Sequence, residues 1–167
     1  GISKVAEKQQ FQPPSTEFLM RMGYRFSRTL LNHDNLCPEN YLWRAVVVNA
    51  LEDCMIVRGD RKSSTFKQSA HNWIITNCKD FDMICNWAML DPDDVISAYK
   101  NALKEKNIKF TIKHVMWSKY NSLSRCSVRE PESRRKRLLK CEMKKIRSKV
   151  KETSNYFVST VFVNVVA

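Results

Sequence analysis

The sequence predicts a mainly α-helical protein with a helix-turn-helix-like unit, a basic amphipathic helix near its C-terminal end, and one or two short β-strands. Three observations support this prediction. Apolar residues recur at helical spacing through residues 38–103, one segment matches the offsets of a helix-turn-helix, and positive charge is concentrated in a single stretch. The chain has 167 residues, a length typical of one domain, and its 43% hydrophobic content excludes global disorder.

The net charge of +12 comes from one part of the chain. Residues 104–151 hold 17 Lys and Arg against 4 acidic residues, a net of +13, so the rest of the chain carries −1. Such a segment indicates a polyanionic partner, nucleic acid before an anionic membrane surface. The sequence contains no run of 18 apolar residues, so it predicts no membrane-spanning helix, and residues 1–10 lack the apolar stretch of a signal peptide. These features predict a cytoplasmic protein.

The cysteines are expected to be free thiols. None of the six forms a C-x-x-C pair, and three lie inside apolar helical patterns. A disulfide framework fits poorly without a secretion signal, and the spacing of His71, Cys78 and Cys85 matches no common zinc finger. We therefore predict no metal and no cofactor.

Residues 1–15, with Pro13 and Pro14, are predicted to be a mobile lead-in, and residues 16–104 a helical core. A first helix over residues 17–31 is interrupted at Gly23. The strongest helix begins at Pro38 and is expected to end at Gly59. Its apolar stripe consists of Trp43, Val46, Val47, Ala50, Leu51 and Cys54, which leaves Arg44, Asn49, Glu52 and Asp53 on other faces.

A second clear helix follows. Ser63 or Ser64 is predicted to cap it, because a hydroxyl at that position accepts from a free backbone N–H. The predicted inward stripe consists of Phe66, Ala70, Trp73, Ile74 and Asn77. With the preceding helix it would supply much of a small core.

Residues 80–103 carry the most specific pattern. Counting from Phe81, the offsets that a helix-turn-helix requires to be apolar or small are filled by Phe81, Ile84, Cys85, Ala88, Leu90, Val95 and Ala98. Asp91 followed by Pro92 predicts the start of the second helix. Met89 occupies the turn position that favours glycine, because the turn demands a positive φ, at a cost of about 1 kcal/mol.

Two interpretations of this unit stay open. The second helix begins with Asp93 and Asp94, which phosphates repel, although an aspartate can accept from cytosine. The unit is therefore either a DNA-reading element or a structural three-helix arrangement whose acidic start stabilises the helix dipole. In the first case the contacts come from later turns, namely from Ser97, Tyr99, Lys100, Asn101 and Lys104.

Two segments of the chain are residues 42–55 (LWRAVVVNALEDCM) and 73–95 (WIITNCKDFDMICNWAMLDPDDV). They resemble a small family of helical proteins from bacteriophage and prophage regions of alphaproteobacteria. The matching residues are Leu42, Trp43, Arg44, Ala45, Val46, Trp73, Asp80, Phe81, Ile84, Cys85, Ala88, Leu90, Asp91, Pro92 and Val95. The resemblance covers roughly residues 40–103 and departs from the family pattern at Met89, where glycine is expected. It implies a small helical protein of phage or mobile-element type, in a bacterial cell or phage-infected host, and assigns no catalytic residue.

Residues 105–167 form the basic C-terminal region. Residues 108–116 alternate in a way that predicts a short strand, beside which Trp117 and Tyr120 either stack on bases or cover the core. Residues 122–131 are predicted to be a loop. Residues 156–166 are β-branched and aromatic, which predicts a terminal strand that pairs with residues 109–116 or with another subunit.

Residues 133–151 predict a basic amphipathic helix. Leu139, Met143, Ile146 and Val150 form one narrow apolar stripe, which suits a homo-oligomer contact. The candidate phosphate contacts on its other faces are Arg134, Arg135, Lys136, Arg137, Lys140, Lys144, Lys145 and Arg147. We favour nucleic-acid contact over a solvated face or a membrane-surface helix, because few acidic residues interrupt these cations.

The sequence therefore favours a DNA-binding protein of phage or mobile-element type, either a transcriptional regulator or a small-terminase-like protein. The alternative is an interaction module that binds a protein through its helical core while the basic helix contacts RNA, a ribosome or an acidic protein. No glycine-rich phosphate loop, nucleophile elbow or H-E-x-x-H motif occurs. We therefore expect no enzyme, and a small nuclease is the remaining enzymatic alternative.

Overall fold

The computed structural model describes residues 13–32 and 34–158, and these residues form eight α-helices. The helices are α1 (Thr16–Met22), α2 (Tyr24–Leu31), α3 (Pro38–Cys54), α4 (Arg61–Ile75), α5 (Lys79–Trp87), α6 (Pro92–Lys104), α7 (Ile112–Arg129) and α8 (Arg134–Glu152). The prediction of a mainly α-helical fold is confirmed. The chain divides into a first unit, Gly1–Met55 with Ala70–Ile108, and a second unit, Ile56–Ser69 with Lys109–Ala167. The segment Ile56–Ser69 thus groups with the basic C-terminal region.

Gly23 divides the first predicted helix into α1 and α2, as its position indicated. Its φ is 90°, a value that residues with a side chain avoid. The hydroxyl of Ser27 donates to the carbonyls of Leu19 and Gly23, at 2.7 Å each, which ties the two short helices together at the break. The buried residues Phe18, Met22, Phe26 and Leu30 contribute to the core of the first unit.

Helix α3 begins at Pro38, as predicted, but it ends at Cys54 and not at Gly59. The helix needs no left-handed glycine, because the N–H of Met55 donates to the Glu52 carbonyl at 2.9 Å. Glycine at position 59 has a different use, in the second unit. A Cβ there would lie 2.9 Å from the side-chain amide nitrogen of Asn155 and 3.0 Å from the Lys113 side chain.

Helix α4 differs from the prediction in its cap and in its buried face. Asp60, and neither Ser63 nor Ser64, caps it, because the Asp60 carboxylate accepts from the Ser63 N–H at 3.0 Å. The predicted stripe residue Phe66 is 51% exposed, whereas Lys67 and His71 are buried. Lys67 donates through Nζ to the Ile56 carbonyl, and His71 hydrogen-bonds Tyr99 through Nδ1. An apolar pattern misses this face because polar residues form part of it.

Residues 112–129 form helix α7, so the predicted strand over 108–116 and the predicted loop over 122–131 are wrong. A polar cap outweighs the alternating pattern: the Thr111 N–H donates to Nδ1 of His114 at 3.0 Å and starts the helix. The alternation survives only in the buried Ile108 and Phe110, which precede α7.

The residues after α8 return to the start of α7. Among the described residues they form one isolated antiparallel bridge, between Thr111 and Phe157. Two hydrogen bonds flank it, from the Ile112 N–H to the Tyr156 carbonyl at 2.8 Å and from the Val158 N–H to the Phe110 carbonyl at 3.1 Å. The C-terminal segment thus meets residues 110–112 as the pairing prediction expected, although as a bridge and not as a ladder. Residues 159–166 of the predicted strand lie outside the described residues.

Candidate nucleic-acid interface

Helix α8 follows the predicted basic helix closely. Ser133 caps it, since its hydroxyl accepts from the Lys136 N–H at 3.3 Å. Leu139, Met143 and Ile146 are half-buried and Val150 is buried, and α7 packs along α8. The apolar stripe that the sequence assigned to an oligomer contact is therefore the shielded side of α8 within one chain.

The remaining surface of α8 is a dense row of cations, which we call the basic face. Its exposed members are Arg134, Arg135, Arg137, Lys140, Lys144, Lys145, Arg147, Lys149 and Lys151. Lys136 is half-buried and pairs with Glu132 at 3.4 Å, and Arg135 approaches Glu130 at 3.9 Å. Among the described residues, no other cation of the basic face has a carboxylate within 4.0 Å. Most of this charge is therefore left to solvent or to a ligand.

The two structural units differ sharply in charge. The second unit contains 19 Lys and Arg against 5 Asp and Glu, a net of +14. The first unit contains 10 basic against 12 acidic residues, a net of −2, and the two values add to the +12 of the whole chain. The positive charge is thus a property of one structural unit, the one that contains α8.

The helix-turn-helix-like unit of the first structural unit forms as predicted from α5, a turn and α6. The residues at the inward offsets are all buried: Phe81, Ile84, Cys85, Ala88, Leu90, Val95 and Ala98. The Asp91 side chain caps α6 by accepting from the Asp93 N–H at 2.9 Å. Burial raises the pKa of the Cys85 thiol to about 12, so this sulfur stays a neutral core group.

Met89 has a φ of 56°, which confirms the left-handed turn position. The hydrogen bonds around it explain the conformation. The Leu90 N–H donates to the Cys85 carbonyl and the Met89 N–H to the Asn86 carbonyl, which is the Schellman arrangement that ends α5.

Arg44, which the sequence placed on an outer face of its helix, is buried and holds this turn in place. Its Nε donates to the Ala88 carbonyl at 2.8 Å and its Nη2 to the Met89 carbonyl at 3.3 Å. Its Nη1 lies 3.3, 3.2 and 2.9 Å from the carbonyls of Thr29, Leu30 and Asn32 at the end of α2. Burial lowers the pKa of the Arg44 guanidinium, although nearby Tyr41 opposes the effect. A single arginine thus donates hydrogen bonds to backbone carbonyls at the C-terminal ends of two helices, α2 and α5, where helix geometry leaves carbonyls without donors.

Helix α6 offers fewer contacts than the sequence predicted. Tyr99 is fully buried and hydrogen-bonded to His71, so the prediction that it contacts nucleic acid is wrong. Ser97 lines a cavity of about 250 Å³, together with Asp94 and Asn101, beside residues of α1 and α2. Lys100 and Lys104 are exposed. Helices α1 and α2 pack on α6, and of the five candidate contacts on α6 all but Tyr99 are exposed.

Trp117 and Tyr120, which the sequence offered as base-stacking residues, are engaged within the second unit. Trp117 donates through Nε1 to the Gly59 carbonyl at 3.1 Å and packs edge-on against Tyr120. Tyr120 is only 7% exposed. Both aromatic rings therefore act in packing, as the second of the two interpretations expected.

A scan of the chain against known protein families matched none, and searches of curated proteins and of solved structures found no match. The described residues include no cluster of three or more side chains suited to hold a metal ion. Among the helices of residues 13–32 and 34–158, none combines the length and apolarity needed to cross a bilayer.

Proposed function

We propose that this protein binds nucleic acid, duplex DNA in the first place, through phosphate contacts of the basic face of α8. The observation that supports the proposal most is the separation of charge by unit. A net of +14 belongs to the second unit, and the α8 cations within it have few carboxylate partners. Binding of this kind depends on phosphates and not on base sequence.

The distribution of charge on α8 supports this proposal over the alternative that its cations are only solvated. The apolar stripe is turned toward the protein. The exposed residues of α8 are nine cations against two acidic residues, Glu142 and Glu152, beside the uncharged Leu138, Cys141 and Ser148. A solvated helix gains stability from mixed signs, because cations spaced three or four residues apart repel one another. Crowded cations on one helix are compensated when they meet a polyanion.

The first unit has a different role in this proposal. Its helix-turn-helix-like element has an acidic start at Asp93 and Asp94 and a buried Tyr99, so it supplies placement or partner contacts while α8 supplies affinity. A DNA-binding protein of phage or mobile-element type, a regulator or a small-terminase-like protein, combines these two functions.

The test is an electrophoretic shift with a mixed-sequence DNA duplex over a series of salt concentrations. We expect tight binding at about 50 mM salt that weakens steeply by about 200 mM. A variant with Lys140→Gln, Lys144→Gln and Arg147→Gln removes three exposed charges and keeps helix propensity. The matched control removes three exposed charges from the first unit by Arg25→Gln, Arg28→Gln and Lys79→Gln.

We expect the α8 variant to lose affinity for every duplex alike and the control variant to bind as the wild type does. Absence of binding by the wild type at low salt contradicts the proposal. Equal losses in the two variants contradict it as well, because the contact would then not belong to α8.

A further inference from the structure

We propose that Arg61, at the start of α4 in the second unit, is a further phosphate-contacting residue outside helix α8. This inference rests on the proposed function, because it names a further contact for the same nucleic acid. Arg61 is the first residue of α4, is exposed, and has no carboxylate within 4.0 Å among the described residues. Its side chain is held in place by the Tyr120 ring and by the Asn121 amide.

Arg61 is fixed from two directions. Its guanidinium carbon lies 4.7 Å from the centroid of the Tyr120 ring, a cation–π geometry. Its Nε donates to Oδ1 of Asn121 at 3.2 Å. Because Tyr120 is buried and braced by Trp117, the guanidinium rests on a rigid support.

A closed cycle of hydrogen bonds orients the Asn121 amide that receives Arg61. Nδ2 of Asn121 donates to Oγ1 of Thr65 at 3.0 Å, and that hydroxyl donates to the Arg61 carbonyl at 2.8 Å. The cycle thus runs from the Arg61 side chain through two polar residues back to the Arg61 backbone. Each partner fixes the orientation of the next.

A pre-oriented arginine suits a phosphate. Guanidinium groups bind phosphate oxygens through two parallel N–H donors, and a side chain that is already ordered loses less entropy on binding. Among the described residues, Nε is the only side-chain nitrogen of Arg61 with a hydrogen-bond acceptor in reach, so its two terminal nitrogens point to no other described acceptor and can take a ligand. The neighbouring Lys62 and Arg58 are also exposed. The Asp60 carboxylate pairs with Arg58 at 3.4 Å and lies more than 4.0 Å from the Arg61 guanidinium nitrogens.

The experiment compares three single variants of the full chain for binding to a mixed-sequence DNA duplex. Arg61→Met keeps apolar cover over the Tyr120 ring but removes the charge. Asn121→Ala keeps the charge and the contact with the Tyr120 ring but removes the hydrogen bond that orients the guanidinium. The control is Arg28→Met, because the Arg28 guanidinium also lies over a tyrosine ring, 5.7 Å from the Tyr24 centroid, but in the first unit.

We expect Arg61→Met to weaken binding roughly three- to tenfold and to reduce the slope of log affinity against log salt by about 1. Asn121→Ala is expected to weaken binding while the slope stays unchanged, since the number of charges is the same. Arg28→Met is expected to change neither quantity. Circular dichroism confirms that each variant is folded.

If Arg61→Met binds as tightly as Arg28→Met while the α8 variant binds weakly, the inference about Arg61 is wrong and the proposed function stands. If Asn121→Ala has no effect but Arg61→Met does, the charge of Arg61 matters and its fixed orientation does not, which overturns the geometric part of the inference. If the wild type does not bind DNA at low salt, the proposed function itself fails.

Discussion

Acidification between pH 7.5 and pH 5 is expected to destabilise the protein through His114, which is 1% exposed. Its Nδ1 accepts from the Thr111 N–H, and its Nε2 donates to the Arg58 carbonyl at 2.7 Å. This pair of bonds requires the neutral imidazole, because a protonated ring has no acceptor. Burial lowers the pKa of His114 from 6.5 to about 4, and the charge of Lys67 adds to the decrease, although the Arg58 carbonyl and Asp60 oppose it.

The sign and the magnitude of this loss of stability follow from the linkage between proton binding and folding. The folded state keeps His114 neutral while the unfolded chain takes up a proton below pH 6.5, so the stabilisation is complete above pH 6.5 and is lost as the pH falls toward 4. The change from 6.5 to about 4 corresponds to about 3 kcal/mol in full. Of this, about 2 kcal/mol is lost between pH 7.5 and pH 5.

The assay is urea unfolding, followed by circular dichroism, of the wild type and of His114→Gln at both pH values. His33 and His71 are present in both proteins, so their contributions cancel in the comparison. We expect the variant to be less stable at pH 7.5 and to lose about 2 kcal/mol less than the wild type on acidification. Equal losses in the two proteins would refute the assignment of a neutral, doubly bonded His114.

Two further predictions concern the helix-turn-helix-like unit. Arg44→Met is expected to lower the free energy of unfolding by about 3 kcal/mol or more, because it removes the donor from five backbone carbonyls. Urea unfolding compares it with Arg28→Met, a change at an exposed site that is expected to alter the free energy of unfolding by less than about 0.5 kcal/mol. Similar losses in the two variants would contradict the role of Arg44. Met89→Gly is expected to raise the melting temperature, because glycine relieves up to about 1 kcal/mol of backbone strain at a φ of 56°. Little packing is lost in exchange, since the Met89 side chain is 58% exposed. A clearly lower melting temperature would contradict this prediction and show that the Met89 side chain stabilises the fold.

The parts of the fold that the sequence predicts best are those that local rules decide. The turn at Met89, the cap at Asp91 and the apolar stripe of α8 each depend on residues within a few positions of one another. Sequence patterns do not predict helix α7, because the alternation of residues 108–116 resembles that of a strand. Its start depends on a hydrogen bond to a histidine ring that pattern rules do not include.

The candidate site also has parts that the sequence predicts and parts that it does not. Charge density locates the basic face of α8 without a structure. The burial of Arg44, Lys67 and Tyr99 depends on partners distant in the chain, such as the Ala88 carbonyl for Arg44. Arg61 could not be distinguished from other surface cations by sequence, because its support comes from Tyr120 and Asn121, about 60 residues later.

The central claim, that α8 binds phosphates, is tested most directly by the salt dependence of DNA affinity, measured by fluorescence anisotropy. Each phosphate contact contributes about −0.9 to the slope of log affinity against log salt. We predict that the variant with Lys140→Gln, Lys144→Gln and Arg147→Gln has a slope less steep than the wild type by about 2 to 3, while the first-unit control keeps the wild-type slope. An unchanged slope in the α8 variant would contradict the claim.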